Sequence, residues 1–522
     1  MKEFLLPINK PLRNGVRPEQ RAFRSNDHLE ALDNMVASPY GAVSPSVLTR
    51  VLTAGLSVAH PFPQLFHLTE TTLLADQASI STVNTGTWVK TALSLAQGTS
   101  SDGTSITTGG PWHVMDFGQS WMLTNGACVV WNMNDQAVLE GMAQNTHVSN
   151  QIDINTMTAF RGRAVYAGFN PAKFWTSDWE GFWEGLADDV SKSSESSVDH
   201  NLKHELTMKS NFVMWSSAGG GNMLTPWLYS KAKTGYSDHS AYSLDASRDL
   251  VLDWMKRNDS GWMPVPWQGQ VYKSLPLGDN CILYGENGIS AIYPISVGDT
   301  PTMGQRSIAE FGIASRGAAG GDKYGHVFID ESGRLWALGP DLKLQLLDYQ
   351  NIFSDMLGNE ILIERNAARE EFYIFDGTET WALNKNGLSK ISPNITSAQF
   401  VNGGTAIISA AEPSTDVSLI TSSVDMNITQ EKTITQVEVH SQNITSVQVR
   451  LHYKHKGSDS WLQTEYITVN DWDCAYFTQI GVLFKIEVKG VDGGNANIDQ
   501  VVIKYKTHDR RMTRGKFNPS AS

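Results

Sequence analysis

The chain has 522 residues, of which 41% are hydrophobic, 18% charged and 10% aromatic, with 44 glycines and a formal net charge of −13. An acidic body without a basic stripe argues against a protein whose main task is to grip nucleic acid. Cys128, Cys281 and Cys474 are too few and too far apart for a disulfide framework or a Cys-x-x-Cys metal site, and no run of about 18 apolar residues is present to span a bilayer.

The expectation is therefore a soluble protein of a reducing compartment, made without a cleaved signal. Abundant glycine and aromatic residues with few charges suit many strands joined by tight turns, so a mainly β protein is predicted.

Residues 1–60 read as an N-terminal arm with short helices. Asn26-Asp27 before Leu29, Leu32, Met35 and Val36 suggests one capped helix, and Ser44-Pro45 before Val47, Leu48, Val51 and Leu52 a second, with a turn at Ala37-Ser-Pro-Tyr-Gly between them. Such an arm packs on its own domain or reaches a neighbouring subunit.

Residues 61–415 read as a β-propeller. Short β-rich segments at Leu65–Leu68, Thr87–Leu93, Trp112–Met115 and Ser120–Trp131 alternate with Ser/Thr/Gly runs, and Arg161–Phe169, Phe174–Trp179 and Asn211–Ser217 continue the series. A hairpin pattern then returns three times, in Asn280–Tyr293, His326–Leu338 and Glu371–Leu383, each with a glycine in its turn. Gly288, Gly333 and Gly377 follow one another at 45 and 44 residues, which is the spacing of four-stranded propeller blades. Loop insertions are expected near 188–209 and 236–262, the second with helical spacing from Ser243 to Arg257. The segment near Leu65 is the candidate clasp strand that completes the last blade and leaves no open edge.

Residues 430–508 show clean alternation, as in Val447, Val449, Leu451 and Tyr453, in Phe484, Ile486 and Val488, and in Val501, Ile503 and Tyr505. A small C-terminal antiparallel β-sandwich is expected there. Residues 509–522 form a basic tail, either solvated or set against an acidic or phosphate-bearing neighbour.

No catalytic, cofactor-binding or metal-ligating constellation emerges. Asp178, Glu180, Glu184, Asp188 and Asp189 among Trp175, Trp179 and Trp183 have the residue types of a glycosidase cleft, but acidic residues in a Trp-rich turn also serve as solvent-facing turn residues. Asp330-Glu-Ser-Gly-Arg-Leu-Trp336 resembles the Asp-box of sialidase propellers, Ser-x-Asp-x-Gly-x-x-Trp, with its Asp three residues before the Gly instead of two. Gly317–Lys323 lacks the Gly-Lys-Ser/Thr ending of a phosphate loop and reads as a flexible interblade loop. His452 and His455 would face opposite sides of a strand, which is poor metal geometry. Asn394-Ile-Thr, Asn427-Ile-Thr and Asn443-Ile-Thr match a glycosylation pattern but read as turn and strand residues.

Three stretches carry a family resemblance: Arg161–Phe169 with Phe174-Trp-Thr-Ser-Asp-Trp179; Phe311-Gly-Ile-Ala-Ser-Arg-Gly317 leading through His326-Val-Phe-Ile-Asp to Gly333-Arg-Leu-Trp; and Asn34-Met-Val-Ala-Ser-Pro-Tyr-Gly-Ala-Val43. Over about residues 30 to 400 the chain resembles the tail nozzle, or tail tubular, proteins of short-tailed bacteriophages, which include packaged-DNA stabilisation proteins. The resemblance implies a structural, non-enzymatic virion protein of the tail, assembled in the host cytoplasm as a homohexameric ring below the portal and adaptor. Such a ring extends the DNA channel, retains the packaged genome, takes part in ejection, and carries tail fibres or a tail tip. An acidic channel would let DNA pass without specific binding, because like charges supply no attraction. The alternatives are a receptor- or carbohydrate-binding propeller with Trp183 and its neighbours as sugar platforms, and a propeller glycosidase using Asp178 or Glu184.

Overall fold

The computed structural model describes residues 3–16, 28–45, 49–51, 62–76, 79–97, 105–118, 121–132, 146–149, 154–169, 210–216, 261–297, 300–347, 349–392, 394–401, 404–409, 414–426 and 428–507. These divide into two compact units: 50–377 with 395–410, and 1–49 with 378–394 and 411–522.

The first unit is a β-propeller. Five blades are sheets of their own, each starting from an innermost strand: Gln64–His67, His113–Asp116, Ile154–Phe160, Val271–Leu277 and Ala319–Asp322. Each blade meanders outward through antiparallel neighbours, and the second is extended by Leu95–Gln97, which pairs in parallel with Thr146–Ser149. The ring of innermost strands continues through Leu362–Asn366 and Ile395–Val401, each lying against the strand before it. It closes where Thr396 Oγ1 and Ser397 Oγ donate to the carbonyls of Pro63 and Leu65, at 2.5 and 2.9 Å.

Most expected hairpins are present. Asn280–Gly285 pairs with Ile289–Val297, Gly325–Ile329 with Leu335–Leu338, and Trp121–Thr124 with Val129–Asn132. Ile154–Phe160 and Arg163–Phe169 are joined at Arg161 (φ 51°) and Gly162 (φ 70°), both left-handed, the pairing that matches the twist of a two-residue hairpin. The third repeat falls on the unit boundary: Glu371–Phe375 belongs to the propeller and Thr380–Asn384 to the second unit.

Two expectations within the propeller are corrected. The segment near Leu65 is the innermost strand of the first blade and not a clasp; the N-terminal strand in the sheet with Ile395–Val401 and Gly404–Ser409 is Thr49–Val51. Gly317–Lys323 is no flexible loop, because Ala319–Asp322 is an innermost strand. A Cβ on Gly320 would stand 2.3 Å from the Ile363 carbonyl oxygen of the next innermost strand, so glycine permits a backbone approach that any other residue would block.

In the second unit the N-terminal residues are mostly strand. Of the two expected helices, the stretch from Leu29 to Val36 forms Leu29–Asp33 and Val36–Ser38; the helix after Ser44-Pro45 is replaced at Thr49–Val51 by strand, and the rest of it lies outside the described residues. The spacing of Leu29, Leu32 and Val36 fits either structure, and pairing of Leu29–Asp33 with Asp416–Thr421 decides it. The described helix of this region is Lys10–Asn14, five residues long with Pro11 in its first turn.

The C-terminal part is a curled sheet and not two packed ones. Lys432–Lys454 and Leu483–Thr507 run antiparallel along nearly their whole length, with register shifts around Ser441 to Gln448. These irregularities bend the strands until Lys432 lies opposite Gly481 and Lys454 opposite Leu483, so that both ends of one strand meet at the same turn. Asn443 occupies a left-handed position (φ 56°) inside the bend. Val449, Leu451, Phe484, Ile486, Val488, Val501 and Ile503 are buried, as their alternation requires.

The Trp175–Trp183 stretch, Asp178, Glu184, Asn427, the insertion 188–209, the helical stretch 243–257 and the tail 509–522 lie outside the described residues; the second insertion re-enters them at the strand Gly261–Pro264.

Candidate functional site

Strands at the centre of a propeller converge, and what they leave open is decided by the side chains they turn inward. Here the innermost strands enclose a cavity of about 420 Å³, to which all seven contribute. Gly320 and Gly321 add no side chains, which keeps that sector open.

Lys273 is the central group. The strand is covered on both faces here, so the consecutive residues Lys273 and Ser274, which follow a bulge after Val271, are both buried. Burial lowers the pKa of the Lys273 ammonium; the Glu364 carboxylate opposes this, and the Arg316 guanidinium adds to it.

Glu364 lies on Leu362–Asn366 and retains some surface toward the cavity although protein surrounds it. Burial raises its pKa to about 7, against the pull of Lys273 and of hydrogen bonds from the Gln64 side chain and the Ala398 backbone. The Gln64 amide is oriented by its other end: Oε1 accepts from the Trp112 N–H at 2.5 Å, which leaves the NH2 for Glu364.

His113 completes the group. Burial, together with the charges of Arg316 and Lys273, lowers its pKa well below the ordinary imidazole value, so the ring is neutral near pH 7. The Asn155 carbonyl faces the ring and opposes the shift, but neither ring nitrogen reaches hydrogen-bonding geometry.

Other charges on and around the cavity are structurally committed. Arg365 Nη1 pairs with Asp322 Oδ1 at 2.8 Å and donates to the Gly325 carbonyl at 3.1 Å. Arg316, from the Phe311–Gly317 stretch, donates to the carbonyls of Asn155 and Thr124 and thereby ties two other blades together. His326 Nε2 lies 3.0 Å from the Pro276 carbonyl, which only accepts; that nitrogen therefore carries the proton, and Nδ1 accepts from the Tyr284 hydroxyl at 2.8 Å. Burial holds His326 at a pKa of about 4, a neutral bridge between strands.

The arrangement can hold a small polar molecule and exchange a proton with it through Glu364. Among the described residues no group of three His, Cys, Asp or Glu is placed to hold a metal ion. His452 takes part instead in a cluster on Glu487, with Nε2 and Oε2 2.7 Å apart. Asp330 is buried and holds its own turn together, so the Asp-box-like stretch has a structural role. Sequence reasoning missed Lys273, Glu364, His113 and Gln64. The signal was a lysine inside the mostly apolar run Val271–Leu277, and Glu364-Arg365 directly after Ile361-Leu-Ile.

No family model and no curated protein sequence matches the chain. Solved structures similar to it include apo AztD from Citrobacter koseri, at 11% identity and a TM-score of 0.34, covering 83% of this chain and 90% of that one. PorZ, a surface component of the type-IX secretion system of Porphyromonas gingivalis, is 8% identical with a TM-score of 0.32, over 72% of this chain and 42% of its own. Human WBSCR16 is 9% identical with a TM-score of 0.29, over 73% and 89%.

Proposed function

We propose that the chain is a structural subunit of the tail nozzle of a short-tailed bacteriophage, assembled as a homohexameric ring that extends the DNA channel below the portal and adaptor. In this role it retains the packaged genome, takes part in ejection, and carries tail fibres or a tail tip. The resemblance in Arg161–Phe169 and Phe311–Trp336 supports this reading.

The structural observation that supports the reading is a face of the curled sheet with large apolar side chains exposed toward its edges. Leu5, Lys504, Gln436 and Tyr476 are aligned across four neighbouring strands, with Leu5 63% and Tyr476 60% exposed. Ile480 continues the same face, and Trp472, 82% exposed, lies in the turn before it. The outer strands of this section, Glu3–Ile8 and Cys474–Gly481, each have one described strand partner. A half-open sheet with large apolar side chains on its surface is suited to packing against another subunit.

The propeller cavity, about 420 Å³ and lined from all seven innermost strands, is too small for duplex DNA. The DNA path in this reading therefore runs between copies, past acidic surfaces that offer it no specific grip. Electron microscopy of the native particle containing this chain tests the reading: six copies around a continuous channel below the portal are expected, and a monomer on a fibre or no place in the tail would overturn it.

A further inference from the structure

The central cavity contains polar groups whose hydrogen-bonding needs are unequal. Its acceptors are served: Glu364 receives Gln64 and the Ala398 N–H, Gln64 Oε1 receives the Trp112 N–H, and Asp322 receives Arg365. One donor is not. Lys273 is buried and carries an ammonium that can only donate, yet among the described residues it makes no side-chain hydrogen bond or ion pair; Glu364 acts on it only through space. His113 lines the same cavity, but both of its ring nitrogens are buried away from it, so Lys273 is the donor left for a ligand. Leaving a largely buried ammonium unpaired is costly, and the cost is relieved by an acceptor with negative charge.

We propose that the cavity is a binding site for a small oxyanion, the carboxylate or phosphate group of a small molecule, whose oxygens accept from Lys273 Nζ. The two glycines of Ala319–Asp322 leave room for the rest of such a molecule. The Arg365–Asp322 pair offers no unneutralised charge that would draw the anion to the rim. Because every lining residue belongs to the propeller unit, each chain carries its own site, whatever assembly the chain enters.

Calorimetric titration of the full chain with inorganic phosphate, with malonate and, as a neutral control, with glycerol tests the proposal. Saturable binding of phosphate or malonate but not glycerol is expected, weakened about tenfold or more in Lys273→Met and retained in Lys273→Arg. Whichever of the two anions binds more tightly separates a phosphate-bearing from a carboxylate-bearing ligand. Equal binding by the wild type and Lys273→Met, or no saturable binding of either anion, would overturn the proposal. Should Lys273→Met fail to fold, crystals of the wild type soaked in selenate decide the matter. Anomalous density beside Lys273 Nζ is expected, and water alone at that position would refute the assignment.

Discussion

Trp336 Nε1 donates to Asp330 Oδ2 at 2.9 Å, across the turn that joins Gly325–Ile329 to Leu335–Leu338. The same oxygen accepts from Arg334 Nε at 2.7 Å, while Oδ1 accepts the backbone N–H groups of Ser332 and Arg334, both at 2.9 Å. One fully buried carboxylate thus takes up four donors. Asp330→Ala should leave them without an acceptor and cost about 3 to 5 kcal/mol, the usual penalty for breaking a buried charged network. Urea unfolding measures the loss, and a shift in Trp336 fluorescence would locate it.

Gly320→Ala should destabilise the propeller by about 3 kcal/mol or more, because the new methyl meets the Ile363 carbonyl in a place where neither strand can yield. Gly325→Ala provides the contrast: its nearest neighbours stand at 3.8 Å and it should change stability by no more than about 1 kcal/mol. Thermal unfolding of the two variants side by side distinguishes close approach from a general intolerance of alanine.

Stability should depend on pH through Glu364 and His326 with opposite signs. Glu364 titrates at about 7 in the folded chain, above its ordinary value of 4.5, so the folded state holds its proton more tightly; this contribution is fully present below pH 4.5 and is lost as the pH rises through 7. His326, at about 4 against 6.5, contributes stability that is present above pH 6.5 and lost as the pH falls through 4. Glu364→Gln should therefore be relatively more stable than wild type at pH 8 than at pH 4.5, by about 2 to 3 kcal/mol. His326→Gln should lose its own share of the acid-side dependence and keep the shares of His113 and Glu487. Denaturant titrations from pH 4 to 8 give both slopes.

Glu487→Gln should weaken the curled sheet. Burial alone would raise the Glu487 pKa, but hydrogen bonds from Arg450, Tyr466 and His452 together pull it below the ordinary value. The stability this adds is lost as the pH falls through that lowered pKa, so the variant should be destabilised at pH 7 by about 1 to 3 kcal/mol and much less in strong acid. The difference in unfolding midpoint between neutral and acidic buffer is the measurement.

Tyr476→Asp combined with Ile480→Lys should leave the fold intact, since both side chains are exposed, but should reduce self-association. Light scattering at several protein concentrations reads the outcome. An unchanged oligomer would remove this face of the curled sheet from the proposed ring contact.

Much of the architecture was legible in the chain itself. Hairpin glycines at a period of 45 and 44 residues announced blades, and alternation in Val447–Tyr453, Phe484–Val488 and Val501–Tyr505 announced half-buried strands, because both patterns follow from local backbone geometry. The helical reading of Leu29 to Val36 failed because short apolar spacings fit either structure until a partner strand is present. Gly317–Lys323 was misread for a related reason: glycine marks a flexible loop and a place of close backbone contact with the same letter, and only the Ile363 carbonyl tells them apart.

The sequence by itself thus determined a mainly β chain with a repeated blade unit, since periodicity and turn chemistry act between near neighbours. Only the tertiary structure decided that Thr49–Val51 joins the last strands of the ring, that two long strands curl into one sheet, and that Lys273, Glu364, Gln64 and His113 share a cavity. Those four residues span 300 positions of sequence. Their charges become coupled, and their pKa values move, only when ring closure brings them together and removes them from water.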